Sequence, residues 1–368
     1  MKKSWVLILS FTSLAIQIIG YRILRSFPNF IETYYSTGIY PYIARAMRIG
    51  LGWLPFSFGD VVYVVGGLLM LRWLIVYRWE LIAPLRLRSM QESRRAYRQA
   101  RKRYTQLFLT ANILLLFFHL AWGFNYYRQP LNKVLNIDAD YTTAELQQVS
   151  QQLIATSNML HSQLQQNDTL AVAFDRSQEE LFDLAPSGFE RIASVYPQLD
   201  YGQPSIKRSL LTWPLTYMGY SGYLNPITGE AHTNGNINNF KTPVLILHEM
   251  SHQLGFAKEN EANFIAVITG MNHEDLYFQY SASIFALKYC LNDLYRRDPA
   301  LYEELKPDIK RGVFKNWQEL RDFWAPYDNN IIEQASQATY NTYLKANNQP
   351  DGMRTYSYVV ALLVNHYK

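Results

Sequence analysis

The chain has 368 residues, of which 49% are apolar and 15% aromatic, enough to fill a large core, membrane segments, or both. Cys290 is the single cysteine, which excludes an intrachain disulfide, a Cys-based zinc site and a CxxC redox site. The net charge of +5 is local: nine Lys/Arg stand against Glu80 and Glu92 between Arg78 and Arg103, and the remainder is slightly acidic, so the basic balance does not signal nucleic-acid binding.

In chain order, three apolar stretches approach the roughly 20 residues that a bilayer demands, at about 5–24, 59–77 and 107–127. The first follows Met1-Lys2-Lys3 and lacks a small-x-small cleavage site, so it reads as a retained span and not as a removed signal. The second carries Val62 to Leu71 and then Arg72, and the third ends in Trp122, Tyr126 and Tyr127, an interfacial aromatic pattern. Residues 1–128 thus form an expected membrane domain with a basic loop at 78–106. The positive-inside rule puts that loop and the N-terminus in the cytoplasm of an inner-membrane, multi-pass protein, and everything after Tyr127 outside.

From 129 to 368 the chain reads as one extracytoplasmic domain, mostly helical. Thr142 to Gln165 opens with the capping-box-like Thr142-Thr143-Ala144-Glu145, and Ser177 to Tyr196 suggests helix interrupted at Pro186-Ser187-Gly188. Between Lys207 and Asn238, Leu210-Leu211-Thr212-Trp213, Tyr220 to Leu224 and the turn Asn225-Pro226-Ile227-Thr228-Gly229 predict a small sheet. Helix is expected again over 277–297, 317–324, 330–345 and 353–367.

The most informative run is His248-Glu249-Met250-Ser251-His252. Residues four apart share a helix face, so His248 and His252 can present ring nitrogens to one Zn²⁺ per chain, with Glu249 beside the metal as a general base. Thr242-Pro243 reads as the helix start and Gly255 as its stop. A surface helix with incidental histidines fits poorly, because Val244 to Leu247 is too apolar for a solvated face.

A second helix follows from Lys258, and in it Glu259, Ala262, Asn263 and Ala266 fall on one stripe with small residues that permit close approach to the first. An HExxH helix followed by Glu-x-x-Ala-Asn resembles the gluzincin metallopeptidases. That resemblance implies a zincin-like α+β domain, with His248, His252 and Glu259 as ligands, Glu249 as catalytic base and Asn263 orienting a ligand. Only six residues separate His252 from Glu259, shorter than the gluzincin connection; Glu261 stands as the alternative ligand, with His232 and His273 behind it. A metzincin-like pattern fails because Lys258 occupies its third histidine position. Three spans, this helix pair and Thr228-Gly229-Glu230-Ala231 also resemble a bacterial membrane family known only as a domain of unknown function.

For a peptidase, an extended substrate is expected to add to a strand beside the motif helix, and Glu230-Ala231-His232-Thr233-Asn234 is the segment placed for this. His232, His273, Tyr220 and Tyr280 are the candidates for substrate or oxyanion contacts; His119, His161 and His366 read as incidental. The expected function is a membrane-anchored zinc metallopeptidase whose partners are the bilayer and a peptide or protein substrate. Two alternatives share the sequence: a zinc hydrolase acting on a non-protein envelope substrate, and a catalytically silent zinc-binding membrane sensor or scaffold, against which the presence of Glu249 argues.

Overall fold

A computed structural model describes residues 2–86 and 90–368 and is mainly helical, with one small three-stranded sheet among the described residues. Helix α1 (Lys2–Leu24) is followed after a sharp break by α2 (Pro28–Leu51), whose Ile31–Ile39 stretch has π-helical bonding. Next come α3 (Phe58–Arg86) and α4 (Met90–Ala121), packed as a hairpin. Two helices are long and apolar enough to cross a membrane, Phe58–Ala83 and Arg94–Ala121, and α1 with α2 makes a third if that pair, bent by 98°, counts as one span.

The expected loop at 78–106 is mostly helix: α3 and α4 continue through it, and its residues Leu87, Arg88 and Ser89 lie outside the described residues. The expected third segment is also too long at its end. The α-helix stops at Ala121, and Gly123–Tyr127 folds as a 3-10 turn whose Tyr126 and Tyr127 are buried in the second hydrophobic cluster with Tyr35 and Tyr40. Between α1 and α4 the apolar surface is broken by polar groups: the Gln17 amide bonds Asn112, whose own amide donates to Ser10 O at 2.8 Å, a pairing that joins two apolar helices.

The remaining chain packs around one large core. Helix α5 (Thr143–Leu164) has a true capping box between Thr142 and Glu145. Helix α6 (Gln178–Ala193) runs unbroken through Pro186, contrary to the interruption expected there; Ala185, Gly188 and Phe189 are buried, so packing holds the helix where local propensity argues against it.

The sheet has the order β1-β3-β2, with β1 (Ile206–Arg208) parallel to the central β3 (Ala231–Thr233) and β2 (Gly222–Leu224) antiparallel to it. The strand expected at 210–213 is instead the start of a short helix, α7 (Thr212–Tyr217). The Ser209 hydroxyl accepts the Leu211 N–H and Thr212 donates to Ser209 O, a local bonding pattern that turns the chain out of β1. Because β3 is paired on both sides, residues 230–234 offer no free edge, and β2 is an edge strand.

The motif helix α8 (Lys241–Gln253) begins two residues before the expected Pro243 and ends at Gly255, whose φ of +86° is the left-handed stop. It packs against α9 (Glu259–Met271) and α10 (Leu276–Arg297), and the longer helices that follow are α11 (Arg311–Trp324), α12 (Ile331–Ala346) and α13 (Val359–Tyr367).

Candidate metal centre

The apolar run that makes α8 a helix also buries it all round: its residues from Thr242 to Gln253 are buried. A helix buried at its C-terminus needs partners for its last carbonyls. Here they come largely from the first 128 residues. Tyr40 of α2 donates to Gln253 O at 3.0 Å, Trp122 Nε1 to His252 O at 3.3 Å, and Arg128 Nη1 to Gly255 O at 3.1 Å. The Arg128 guanidinium is itself held by Glu32 at 2.6 Å. Segments adjoining the apolar helices therefore fix the end of the helix that carries the candidate ligands.

Within that frame one ligand atom each from His248, His252 and Glu259 lie within 4.8 Å of one another. Glu259 Oε2 is 3.2 Å from His248 Nε2 and 3.6 Å from His252 Nε2. His252 Nδ1 lies 2.7 Å from Phe256 O; a carbonyl can only accept, so Nδ1 carries a proton and the ring is oriented with Nε2 toward Glu259. Tyr340 of α12 donates to Glu259 Oε1 at 2.5 Å, leaving Oε2 toward the histidines. Two imidazole nitrogens and one carboxylate oxygen, oriented by outer hydrogen bonds, suit a zinc ion with an open position.

Glu261 points elsewhere: its Oε1 accepts from Leu131 N–H at 2.9 Å and from Lys258 at 3.3 Å. Of the two candidate carboxylates, only Glu259 joins the histidines. The short link works because Gly255 reverses the chain within a residue, in a space where a side chain would strike Asn125 and Tyr40.

The electrostatics are those of a tightly coupled buried cluster. Burial alone would lower His252, but the Glu259 charge and hydrogen bond beside it raise it to about 9. Burial would raise Glu259, and the two rings instead hold it well below the usual carboxylate range. His248 is lowered, chiefly by burial. Glu249, whose Oε2 is buried without a hydrogen-bond partner, is pushed up to about 8 by burial, with the Glu259 charge adding to the effect. A dication would displace the proton that His252 otherwise holds.

The cluster opens into a cavity of about 710 Å³, walled by β2, α7, α8 and α12 and also by Tyr63 of α3 and by Trp122 and Tyr126. Of the other candidates from sequence, Tyr220 and Asn263 line this cavity. The Tyr220 hydroxyl is bonded to Ser336, accepting from its hydroxyl at 2.7 Å, and the Asn263 amide nitrogen has no partner. His232 does not line it. That ring is fully buried, 2.7 Å from Ser57 Oγ, and stacked under Tyr223. His273 bonds Ser187 and Leu184 O and stacks on Phe278, and Tyr280 donates to Asn316 Oδ1 at 2.9 Å; both are packing residues of the core around α10.

Two cavity residues were not singled out in the sequence. Gly222 of β2 runs so close to Glu249 that a Cβ there would lie 2.6 Å from its Oε1. Lys241, at the start of α8, donates to Ser221 Oγ at 2.8 Å and has no carboxylate partner within ion-pair distance among the described residues. Burial, and then the nearby Lys288 charge, lower its ammonium to about 8. The sequence signal for Lys241 was its place seven residues, two turns, ahead of His248.

No curated protein and no solved structure matches this chain. A family model described as protein of unknown function (DUF3810) matches residues 35–364, nearly the whole chain and all of the site just described, and the chain belongs to that family.

Proposed function

We propose that the protein is a membrane-anchored zinc-dependent metallopeptidase, held in the cell membrane by three N-terminal spans, with a zincin-like domain from about residue 129 on the extracytoplasmic side. The observation that carries the reading is the convergence of His248, His252 and Glu259 beside a buried Glu249 at the wall of a large cavity. The basic stretch from Arg78 to Arg103 supports the orientation.

A zinc ion held by the three side chains would supply a Lewis acid and a bound water of near-neutral pKa. The chain's own groups do the rest. Glu249 is buried at the cavity wall beside the three ligands, placed to take a proton from the attacking water and return it to the departing amine. Gly222 keeps β2 close enough to fix the Glu249 carboxylate, and the outer edge of β2 is where an extended polypeptide can add by backbone hydrogen bonds. This assigns to Gly222-Tyr223-Leu224 the role expected from sequence for residues 230–234. Tyr220, on the cavity wall, is the remaining hydroxyl candidate for contact with a polarised carbonyl.

Elemental analysis of the full chain purified in detergent tests the reading. About one zinc per chain is expected in the wild type and in Glu261→Gln and Glu249→Gln, with loss of metal in His248→Ala and Glu259→Gln and loss of turnover in Glu249→Gln. A well-folded wild type that takes up no zinc when supplied with it would overturn the metallopeptidase and leave a membrane-tethered binding domain as the better account.

A further inference from the structure

The cavity is walled by parts of the chain that leave the apolar helices at once. Tyr63 lies five residues into α3, about 7.5 Å along its axis. Directly after it the helix surface becomes exposed and apolar, with Leu68 61% and Leu69 59% exposed. On α4 the same change occurs in the opposite direction: Leu120 is 51% exposed, and Trp122, two residues on, is buried and walls the cavity. The wall of the cavity and the apolar, outward surface of the helices meet at both places.

Two further elements continue that level. Helix α2 turns 98° from α1, so if α1 crosses a bilayer α2 runs along its surface. One side of α2 is bound to the globular domain through Tyr40 and Arg48, the latter over the Tyr201 ring, and the other side leaves Phe30, Tyr34 and Tyr42 exposed. Helix α7 begins beside the first turn of α3, where Leu210 N–H donates to Asp60 Oδ2 at 2.7 Å. Leu211, just before it, and its Pro214 and Leu215 wall the cavity, while the preceding Leu210 and its own Trp213 face outward and are 58% and 60% exposed. Exposed Trp, Tyr and Phe at the end of an apolar helix are what a headgroup region accommodates and water does not.

We propose that α2 and α7 lie on the bilayer surface, so that the cavity opens at the membrane and takes as substrate a polypeptide anchored in the same bilayer, cut a few residues from where it emerges. The bilayer seat rests on the membrane reading of α1, α3 and α4, and the substrate class rests in addition on the metallopeptidase reading. Continuity with the apolar helices selects lipid as the cover for these aromatic faces, and the position of the cavity wall at that level selects a membrane-borne chain over a freely diffusing one.

Cys290 is fully buried with its thiol pushed up to about 12, so the chain offers a quiet background for single-cysteine labels. Nitroxides at Trp213→Cys, Tyr42→Cys, Leu69→Cys and Ser162→Cys in proteoliposomes would be tested for collision with oxygen and with a water-soluble nickel complex. We expect headgroup-depth values at 213 and 42, lipid values at 69 and water values at 162. Water values at 213 and 42 with lipid values at 69 would overturn the bilayer seat, and water values at 69 would overturn it together with the membrane reading.

The substrate class is read separately with a randomised ten-residue segment, offered free or fused to a poly-leucine span in the same vesicles, with cleavage followed by mass spectrometry. At least a tenfold preference for the anchored form, reduced by Trp213→Ser, is expected. Equal rates would overturn the substrate assignment. No cleavage of either form by fully zinc-loaded protein would remove the peptidase reading and the substrate with it, while the label depths still decide the bilayer seat.

Discussion

Gly222 and Glu249 are in contact so close that a methyl group on the glycine would lie 2.6 Å from the glutamate Oε1 and 2.6 Å from His232 O. No Cβ is tolerated at such distances, so strand and helix must separate or the carboxylate must turn. Gly222→Ala should therefore keep its metal and lose turnover, by at least about tenfold, since a 1 Å misplacement of a catalytic group is enough to cost that much. Zinc content and kcat measured on one preparation check this; loss of zinc together with activity would show that the change disrupts the whole centre.

Tyr340 reaches Glu259 from α12, 81 residues away in sequence, and its hydroxyl donates to the carboxylate oxygen turned away from the histidines. Outer hydrogen bonds of this kind are worth about 10- to 100-fold in metal affinity. Tyr340→Phe should weaken zinc binding by that factor while leaving the fold intact, as read by competition with a chelator and by circular dichroism. Unchanged affinity would mean that Glu259 is oriented by the histidines alone.

Lys207 and Glu230 form a buried ion pair at 2.6 Å, and the same carboxylate accepts the Phe58 and Gly59 N–H groups at 3.2 and 2.6 Å, which caps the start of α3. Removing one partner strands a buried charge. Glu230→Ala should lower stability by about 3–5 kcal/mol, and Lys207→Met with Glu230→Gln should recover part of that loss. Thermal unfolding in detergent reads both, and additive effects of the two changes would contradict the pairing.

Lys241 has its ammonium lowered to about 8, chiefly by burial, whereas exposed lysines titrate near 10.4. At pH 8 roughly half of it is the free amine, against less than about 1% of an ordinary lysine. Acetylation at low reagent concentration should mark Lys241 ahead of the surface lysines, with a rate that rises through pH 8 and then levels off. Peptide mapping by mass spectrometry checks the order, and a rate at Lys241 still climbing at pH 10 would count against the shift.

The sequence alone determined the elements whose signals are local. The HExxH spacing, the apolar run behind it and Gly255 define α8; Thr142 and Glu145 define the start of α5; long apolar runs mark α3 and α4. Each depends on residues within a turn or two of one another, and so can be read along the chain. The tertiary structure decided what depends on neighbours distant in sequence. It joins Glu259 and not Glu261 to the two histidines, makes β3 a central strand and β2 an edge, and buries His232, His273 and Tyr280 away from the cavity. It keeps α6 helical through Pro186, because a buried face outweighs a local preference. It also brings Tyr63, Trp122 and Tyr340 to one cavity, since side chains from three separate segments meet only when the core has packed.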